Sequence, residues 1–510
     1  MVARKATKRA PARKAKKTST KKLTTKKKPS KKASKKSTKK STKKGAAKAP
    51  PISVVVVNMI PRTLSGEEHQ DSEPTIAVNP ANPNQIAASA FTPDPAEGPR
   101  APIYVSIDGG NTWTLNSIVP STVADGSATA DITVAFGTSS NVLYAGIIRF
   151  PIVADRTRLN ILRTKNFQSA ATMDVLEDRT GEGVDQPYVQ AATVASGPDK
   201  GKDRVYVGDN DFNASGGRTA TVDRILNGTA PNPPVDTIRI ESRLTSGQDG
   251  PSVRPAIHPD GTVYAAFHAW RAFDRNTGEG TADIVVVRDD SGGSASFNDL
   301  VDPGDNKAGM RVVQGAKFNF NGSIGQQRTG GDVSIAVDPG DKNVVYLAYN
   351  DDQGGFYVLH VRKSSDGGNT WSTDVRNVRD ALNPALAVNS AGKLGLLYQQ
   401  LTGTGAKTWV TKFELSSGGA PERTFVLHQA PANRPVRQFH PYLGDYDHLM
   451  AVGRDFFGIF SGSNNPRKQN FPSGVIYQRN VNWQTNTLLD VDNASTVNPS
   501  IDPFFFRVKT

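Results

Sequence analysis

Along residues 51–510 apolar and polar positions alternate over short runs with a period near two, and the 3.6-residue period of an amphipathic helix is hard to find. Seven stretches share one order: a polar residue, often followed by Pro, then an apolar strand, a turn, and a second apolar strand. They are EPTIAVNPANPNQIAASAF from Glu73, DITVAFGTSSNVLYAGII from Asp131, QPYVQAATVASGPDKGKDRVYVGDN from Gln186 and RPAIHPDGTVYAAFHAW from Arg254. The series continues with DVSIAVDPGDKNVVYLAYN from Asp332, NPALAVNSAGKLGLLYQQ from Asn383 and HPYLGDYDHLMAVGRDFFGIF from His440. Their starts are 51–78 residues apart. Repeats of that length, broken by Gly, Pro, Asn and Asp turns, predict propeller blades. The expectation is an all-β chain whose residues 51–510 form a seven-bladed β-propeller, or a six-bladed one if one copy is an insertion. ISVVVV at Ile52–Val57 is too short to span a membrane and predicts an outer strand of the last blade, closing the ring by pairing the terminal edges.

A second pattern is sharper. SIDGGNTW at Ser106–Trp113 returns as SSDGGNTW at Ser364–Trp371, both reading Ser-x-Asp-x-Gly-x-Thr-Trp after a strand-like run. The residue types suit a hairpin turn. Asp108 and Asp366 can accept backbone N–H groups, flanked by Ser106, Thr112, Ser364 and Thr370, while Gly110 and Gly368 allow positive φ. Trp113 and Trp371 open the returning strand with a large packing side chain. RDDSGGSASF (Arg288–Phe297) reads as an eroded copy, and IYQRNVNW (Ile476–Trp483) keeps only the strand and the Trp. The string is the Asp-box, or bacterial neuraminidase repeat, and the chain resembles the sialidase-like β-propellers. That resemblance implies a box that serves folding and lies away from the catalytic face.

Charge divides the chain. Residues 1–50 hold 22 of its 62 Lys and Arg and none of its 48 Asp and Glu, so the remainder carries a net charge of −8. A segment of Lys, Ala, Ser, Thr and Pro cannot bury enough apolar surface to offset its ordering entropy, and it predicts a disordered polycationic tail. The tail resembles those of linker histones. Its lysines suit salt-sensitive, sequence-independent binding to nucleic acid or another polyanion, without base stacking, since no aromatic residue is interleaved. The absence of Cys excludes disulfides, thiol catalysis and Cys-based zinc sites. No apolar stretch suits a transmembrane helix or a secretory signal, so an intracellular site, associated with a nucleoid or nucleus, is expected, with a monomeric chain.

Chemistry is expected where the blades converge. Aligning the copies on their first strands places Glu73, Asp131, Gln186, Arg254, Asp332, Asn383 and His440 in a ring at one mouth of the central channel, a candidate for ligand binding. The sialidase resemblance implies three Arg gripping a substrate carboxylate, a Tyr nucleophile activated by a Glu, and an acid/base Asp. The family's Phe/Tyr-Arg-Ile-Pro motif is not matched by MIPR (Met59–Arg62) or RFPI (Arg149–Ile152). Tyr442, Tyr446 and Asp445 in PYLGDYD are the catalytic candidates, with Glu73 as a further carboxylate. No cofactor is required. Ca²⁺ is a candidate ligand of the acidic loops at Gly208–Asn213, Tyr349–Gly355 and Gly444–His448. The reading is a non-enzymatic binding or scaffold protein whose propeller face recognises a glycan or protein and whose tail anchors to a polyanion. The alternative is a sialidase-like glycoside hydrolase, an exo-α-sialidase or a related glycan-active enzyme.

Overall fold

A computed structural model describes residues 52–91, 103–120, 128–150, 157–180, 183–211, 219–246 and 253–510. The expected basic tail lies outside the described residues. Among the described residues, apart from two single 3-10 turns, Arg62–Leu64 and Lys468–Asn470, the regular structure is all strand. Among the described residues no helix is long and apolar enough to cross a membrane.

Six four-stranded antiparallel sheets follow one another along the chain, and a seventh sheet of five strands joins the two ends. The first strands of the sheets are Ser72–Val78, Ala128–Phe136, Val184–Thr193, Val253–Ile257, Val333–Asp338, Ala381–Val388 and His448–Val452. Each first strand touches that of the next sheet, and the seventh returns to the first, so the sheets form a closed ring around a channel. This is a β-propeller.

Strand alternation explains the packing. In the first sheet Ile86, Ala88 and Tyr104 face one way, into a cluster with Phe457, Ile459 and Phe505 of the seventh sheet. Ala87, Ile103 and Val105 face the other way, against Ile132, Val134 and Leu143 of the second. Successive side chains leave a strand on opposite faces, and a sheet buried on both faces needs apolar residues on both. Each junction between neighbouring sheets has such a buried cluster of its own.

The chain ends close the ring. Ser53–Asn58 pairs antiparallel with Ile501–Lys509 from Ser53↔Lys509 to Asn58↔Phe504. Ile476–Tyr477 lies outside it as a parallel edge strand. The seventh sheet therefore takes its third strand from Ile501–Lys509 and not from IYQRNVNW. The reason is burial: Phe504, Phe505, Phe506 and Val508 are fully enclosed on two faces, while Ile476 is largely exposed.

The two SxDGGNTW turns are built alike. Ser106 Oγ donates to Asp108 Oδ1 at 2.9 Å and accepts Gly110 N–H at 2.9 Å. Asp108 also accepts Thr112 N–H at 3.0 Å and the Thr112 hydroxyl at 2.7 Å. Ser364, Asp366, Gly368 and Thr370 repeat the set at 2.6–2.9 Å. Gly110 has φ 87° and Gly368 φ 91°. A Cβ on Gly110 would stand 2.1 Å from the Phe505 ring, so both backbone and neighbour demand glycine there. Trp113 and Trp371 donate their indole N–H to Gly110 and Gly368 carbonyls. Register sets Ser106 beside Ile86 and Ile86 beside Val78, at the opposite end of the sheet from Glu73.

Candidate functional site

The mouth is shaped by irregular starts to the first strands. Glu73, Gln186 and Asn383 have φ of 53°, 49° and 54°, and each precedes a proline. Each stands at a break in strand register, between Ser72 and Thr75, Asp185 and Tyr188, and Leu382 and Ala385. Such bulges bend a strand and re-aim its side chains, and left-handed non-glycine residues store strain. Here the re-aimed groups meet segment 444–446. Gln186 Nε2 donates to Asp445 Oδ2 at 3.1 Å, and Asn383 Nδ2 donates to the Gly444 carbonyl at 3.1 Å. Together with burial, the nearby Asp131 carboxyl helps to raise the Glu73 carboxyl above its usual range. Asp332 Oδ2 accepts Asn383 N–H at 2.9 Å.

Two of the seven expected positions differ. The N–H groups of Asn79, Gly137 and Asn389, which close the first hairpins, come six residues after Glu73, Asp131 and Asn383. The matching His258 comes only four after Arg254, so Arg254 sits deeper, beside Tyr188 and His448 in the wall of the 270 Å³ channel cavity. His440 is outside the seventh first strand, which begins at His448, and is exposed. The His448 ring accepts Ile76 N–H just as Thr75 accepts Val134 N–H, which makes Tyr446 the counterpart of Glu73. The seventh copy carries a six-residue insertion between its His-Pro and its strand, and alignment on the His-Pro missed it.

Arg254 is enclosed by aromatic faces, its guanidinium 4.3 Å from the Tyr188 ring centre and 5.0 Å from that of Tyr446. The Tyr446 hydroxyl is buried without a hydrogen-bond partner among the described residues. Burial, then the charges of Asp131 and Glu73, push its phenol well above the ordinary range. Tyr442 belongs elsewhere: it packs with Tyr357, Leu382 and Trp409 and donates to the Pro435 carbonyl at 3.0 Å.

Acids outnumber bases at the mouth. Arg328, from the short hairpin Ser323–Ile324/Gln327–Arg328, forms a two-point ion pair with Asp445. Burial, the Asp131 contact and the Asp445 charge push the Glu73 carboxyl well above its usual range, against the pull of Arg328. Burial raises Asp332 to about 7 although the Asn383 N–H favours its charge. His448 is driven down to about 3 by burial and by Arg254 and stays neutral. The mouth thus combines carboxyls able to donate or accept, a phenol and two guanidinium groups.

Sequence reasoning missed Arg328 and Tyr188. Arg328 precedes the fifth first strand in a segment without strand pattern, and Tyr188 reads as an ordinary strand aromatic. In each of the three loops expected to suit Ca²⁺, one acid takes part in an ion pair. Asp209 pairs with Arg179 at 2.9 Å, Asp351 with His360 at 3.0 Å, and Asp445 with Arg328. Phe212 and Asn213 of the first loop lie outside the described residues.

No family model matches the sequence, and no curated protein matches it. Among solved structures, the α-L-arabinanase of Penicillium chrysogenum in complex with arabinobiose is similar at 14% identity over 69% of this chain and 94% of that one, with a TM-score of 0.43. The phage phi92 endosialidase is similar at 12% identity over 90% of this chain and 69% of that one, with a TM-score of 0.42. Sqt1 of Chaetomium thermophilum is similar at 14% identity over 79% and 83%, with a TM-score of 0.38. At these scores the likenesses say nothing about the chemistry of the site.

Proposed function

We propose that the channel mouth binds a glycan, and that the chain is a sialidase-like propeller in which each of the seven sheets is a blade and residues 1–50 anchor to nucleic acid or another polyanion. The observation that carries the reading is the meeting of Glu73, Asp131, Asp332, Arg254 and Tyr446 at one mouth. A hydroxyl-rich ligand needs donors and acceptors in alternation. A carboxyl that keeps its proton donates, an ionised one accepts, and a guanidinium pairs with an acidic group on the ligand.

One observation favours a second reading, glycoside hydrolysis. The Tyr446 hydroxyl has no hydrogen-bond partner among the described residues and stands in the field of Glu73 and Asp131, and Tyr/Glu pairs form covalent intermediates in some glycosidases. Against it, Arg328 is already paired with Asp445, and Arg254 lies between two rings instead of beside a second guanidinium.

A glycan array probed with the full chain, run beside fluorogenic sialoside hydrolysis, tests both. Arg254→Lys, with folding checked by circular dichroism, is expected to weaken an anionic glycan by about 1.5–3 kcal/mol, the worth of a charge-assisted hydrogen bond. Tyr446→Phe separates the readings, since it removes one oxygen: turnover lost with binding kept supports hydrolysis, and no turnover in either protein supports binding alone. Glycan affinity indifferent to Arg254→Lys and Asp332→Asn would refute the mouth as the site.

A further inference from the structure

The sixth and seventh sheets hold a second hollow on the face that carries the mouth. Ser463 ends the strand Asp455–Ser463 on the side where its partner His448–Val452 begins, which is the mouth side. Pro431 ends Arg423–Pro431, and the pairs Ala381↔Gln400, Thr402↔Thr408 and Thr408↔Pro431 put it on that side too. Around these strand ends, segments 431–436, 463–470 and 498–499 bound a pocket of 580 Å³. That size falls within the range of small-molecule sites, about 300–1,000 Å³.

Its charge is of one sign. Arg434 and Arg467 line it, and no acidic residue does. Both side chains are exposed, and among the described residues neither makes a hydrogen bond or an ion pair. By contrast, Arg163, Arg179, Arg243 and Arg376 are spent on neighbouring carboxylates at 2.7–3.1 Å. Glu68, a carboxylate close by, is engaged by Asn498 of the pocket wall, through its N–H at 2.7 Å and its Nδ2 at 3.2 Å. Residues 51–510 carry a net charge of −8, so two guanidinium groups lining one hollow make a local field of the opposite sign.

The walls are fixed by bonds of their own. Gln326 Nε2 donates to the Ala432 and Pro435 carbonyls at 3.2 and 2.8 Å, and the Tyr442 hydroxyl donates to Pro435 at 3.0 Å. Opposite, Asn464 Nδ2 donates to Ser500 Oγ and Asp502 Oδ1, and Asn470 Nδ2 donates to the Asn465 carbonyl at 3.3 Å. Walls formed in advance lower the ordering cost of binding. The rim also has an apolar part: Val436 is 62% exposed beside Pro431, Pro435 and Pro499. Gln469 and Asn470 add amides. Guanidinium groups, amides and an apolar patch together suit a ligand with an anionic group, hydroxyls and an apolar ring face.

We propose that this pocket binds the carboxylate-bearing unit of an acidic sugar, with Arg434 and Arg467 gripping the carboxylate and Val436 packing against the ring. A planar guanidinium can meet a carboxylate through two parallel hydrogen bonds, which a lysine does not reproduce. That the ligand is a sugar rests on the reading of the mouth as a glycan site. That it is an anion rests on the pocket alone. The segment that forms one wall, 431–436, runs on to Asp445 and Tyr446, so one stretch of chain serves both sites.

The 22 cations of residues 1–50 attract anions as well, so the signal has to come from the pocket itself. Full chain with ¹³C-labelled valine methyl groups is titrated with glucuronate at constant ionic strength, and with glucose and acetate as controls. The Val436 methyl signals are identified by their loss in Val436→Ala. Expected are saturable shifts of these signals with glucuronate, none with glucose, and weaker binding of acetate. Arg434→Gln and, separately, Arg467→Gln should each weaken glucuronate about tenfold or more, the worth of one charge-assisted hydrogen bond, with the melting temperature kept. Arg254→Lys at the mouth should leave the titration unchanged. Val436 signals indifferent to glucuronate, or affinity undiminished in both arginine variants, overturn the pocket. Loss of the shifts in Arg254→Lys would trace them to the mouth and overturns it too. Acetate bound as tightly as glucuronate overturns the assignment to a sugar. The mouth is read separately, by Arg254→Lys on the glycan array, so the two sites fail separately.

Discussion

Asp332 shows how one residue's surroundings set its chemistry. Burial favours the neutral acid and outweighs the Asn383 N–H that favours the anion, leaving the carboxyl at about 7. The folded chain therefore holds this proton more tightly than the unfolded chain, where the group titrates near 3.8. The resulting stability is fully present below pH 3.8 and is lost as pH rises through about 7. Asn at this position can still accept the Asn383 N–H but does not titrate. Asp332→Asn is expected to gain stability relative to wild type between pH 4 and 8, measured by thermal melting across that range. A pH-independent difference would show that Asp332 does not titrate there. The place of Asp332 just before the strand VSIAV was legible, but its pKa was not, because the groups that tune it come from Asn383, Asp445, Arg254 and Arg328.

At the scale of elements, two nearly identical strings sit in different surroundings. Trp113 is 2% exposed, with its ring 5.4 Å from Phe505 of the closing strand. Trp371 is only partly buried, at the edge of the cluster that holds Leu300 and Val333. Trp113→Ala is expected to cost about 3–5 kcal/mol in urea unfolding, as for a fully packed aromatic, and Trp371→Ala distinctly less. Equal losses would show that exposure does not separate the two hairpins. The turn chemistry was legible because its partners lie within four residues of one another. The eroded copy keeps the same device, with Asp289 accepting Ser291 and Ala295 N–H and Phe297 buried in place of Trp. The strand source of the seventh sheet was not legible, since Ile476–Trp483 and Ile501–Lys509 both have strand character and only packing on two faces selects the second.

At the scale of the molecule, charge and closure matter most. The 22 cations of residues 1–50 stand against a net −8 in the rest, so any affinity for duplex DNA should belong to the tail. Full-length chain is expected to bind more tightly than residues 51–510, with affinity falling steeply between two salt concentrations. Equal affinity of the two proteins, or indifference to salt, would remove the anchor. Closure brings together residues far apart in sequence: Gln186 meets Asp445 259 positions away, and Arg479 meets the Glu67 carbonyl 412 positions away.

The amino-acid sequence by itself determined the all-β class, the succession of strand and turn, the glycine-dependent hairpins and the separation of a basic from an acidic region. These follow from periodicity and from partners a few residues apart, where local sterics and hydrogen bonding suffice. Only the tertiary structure decided which polar groups face one another. Tyr446 takes the place expected for His440, Arg328 arrives from a segment without pattern, Arg254 drops to the level of Tyr188, and Arg434 and Arg467 come to line one pocket. The physical reason is that a ring of sheets aligns its first strands by hydrogen bonds between neighbours and by the apolar clusters between them. A bulge or an insertion of a few residues then shifts a side chain by a whole level, without any trace in the local alternation that predicts the strand.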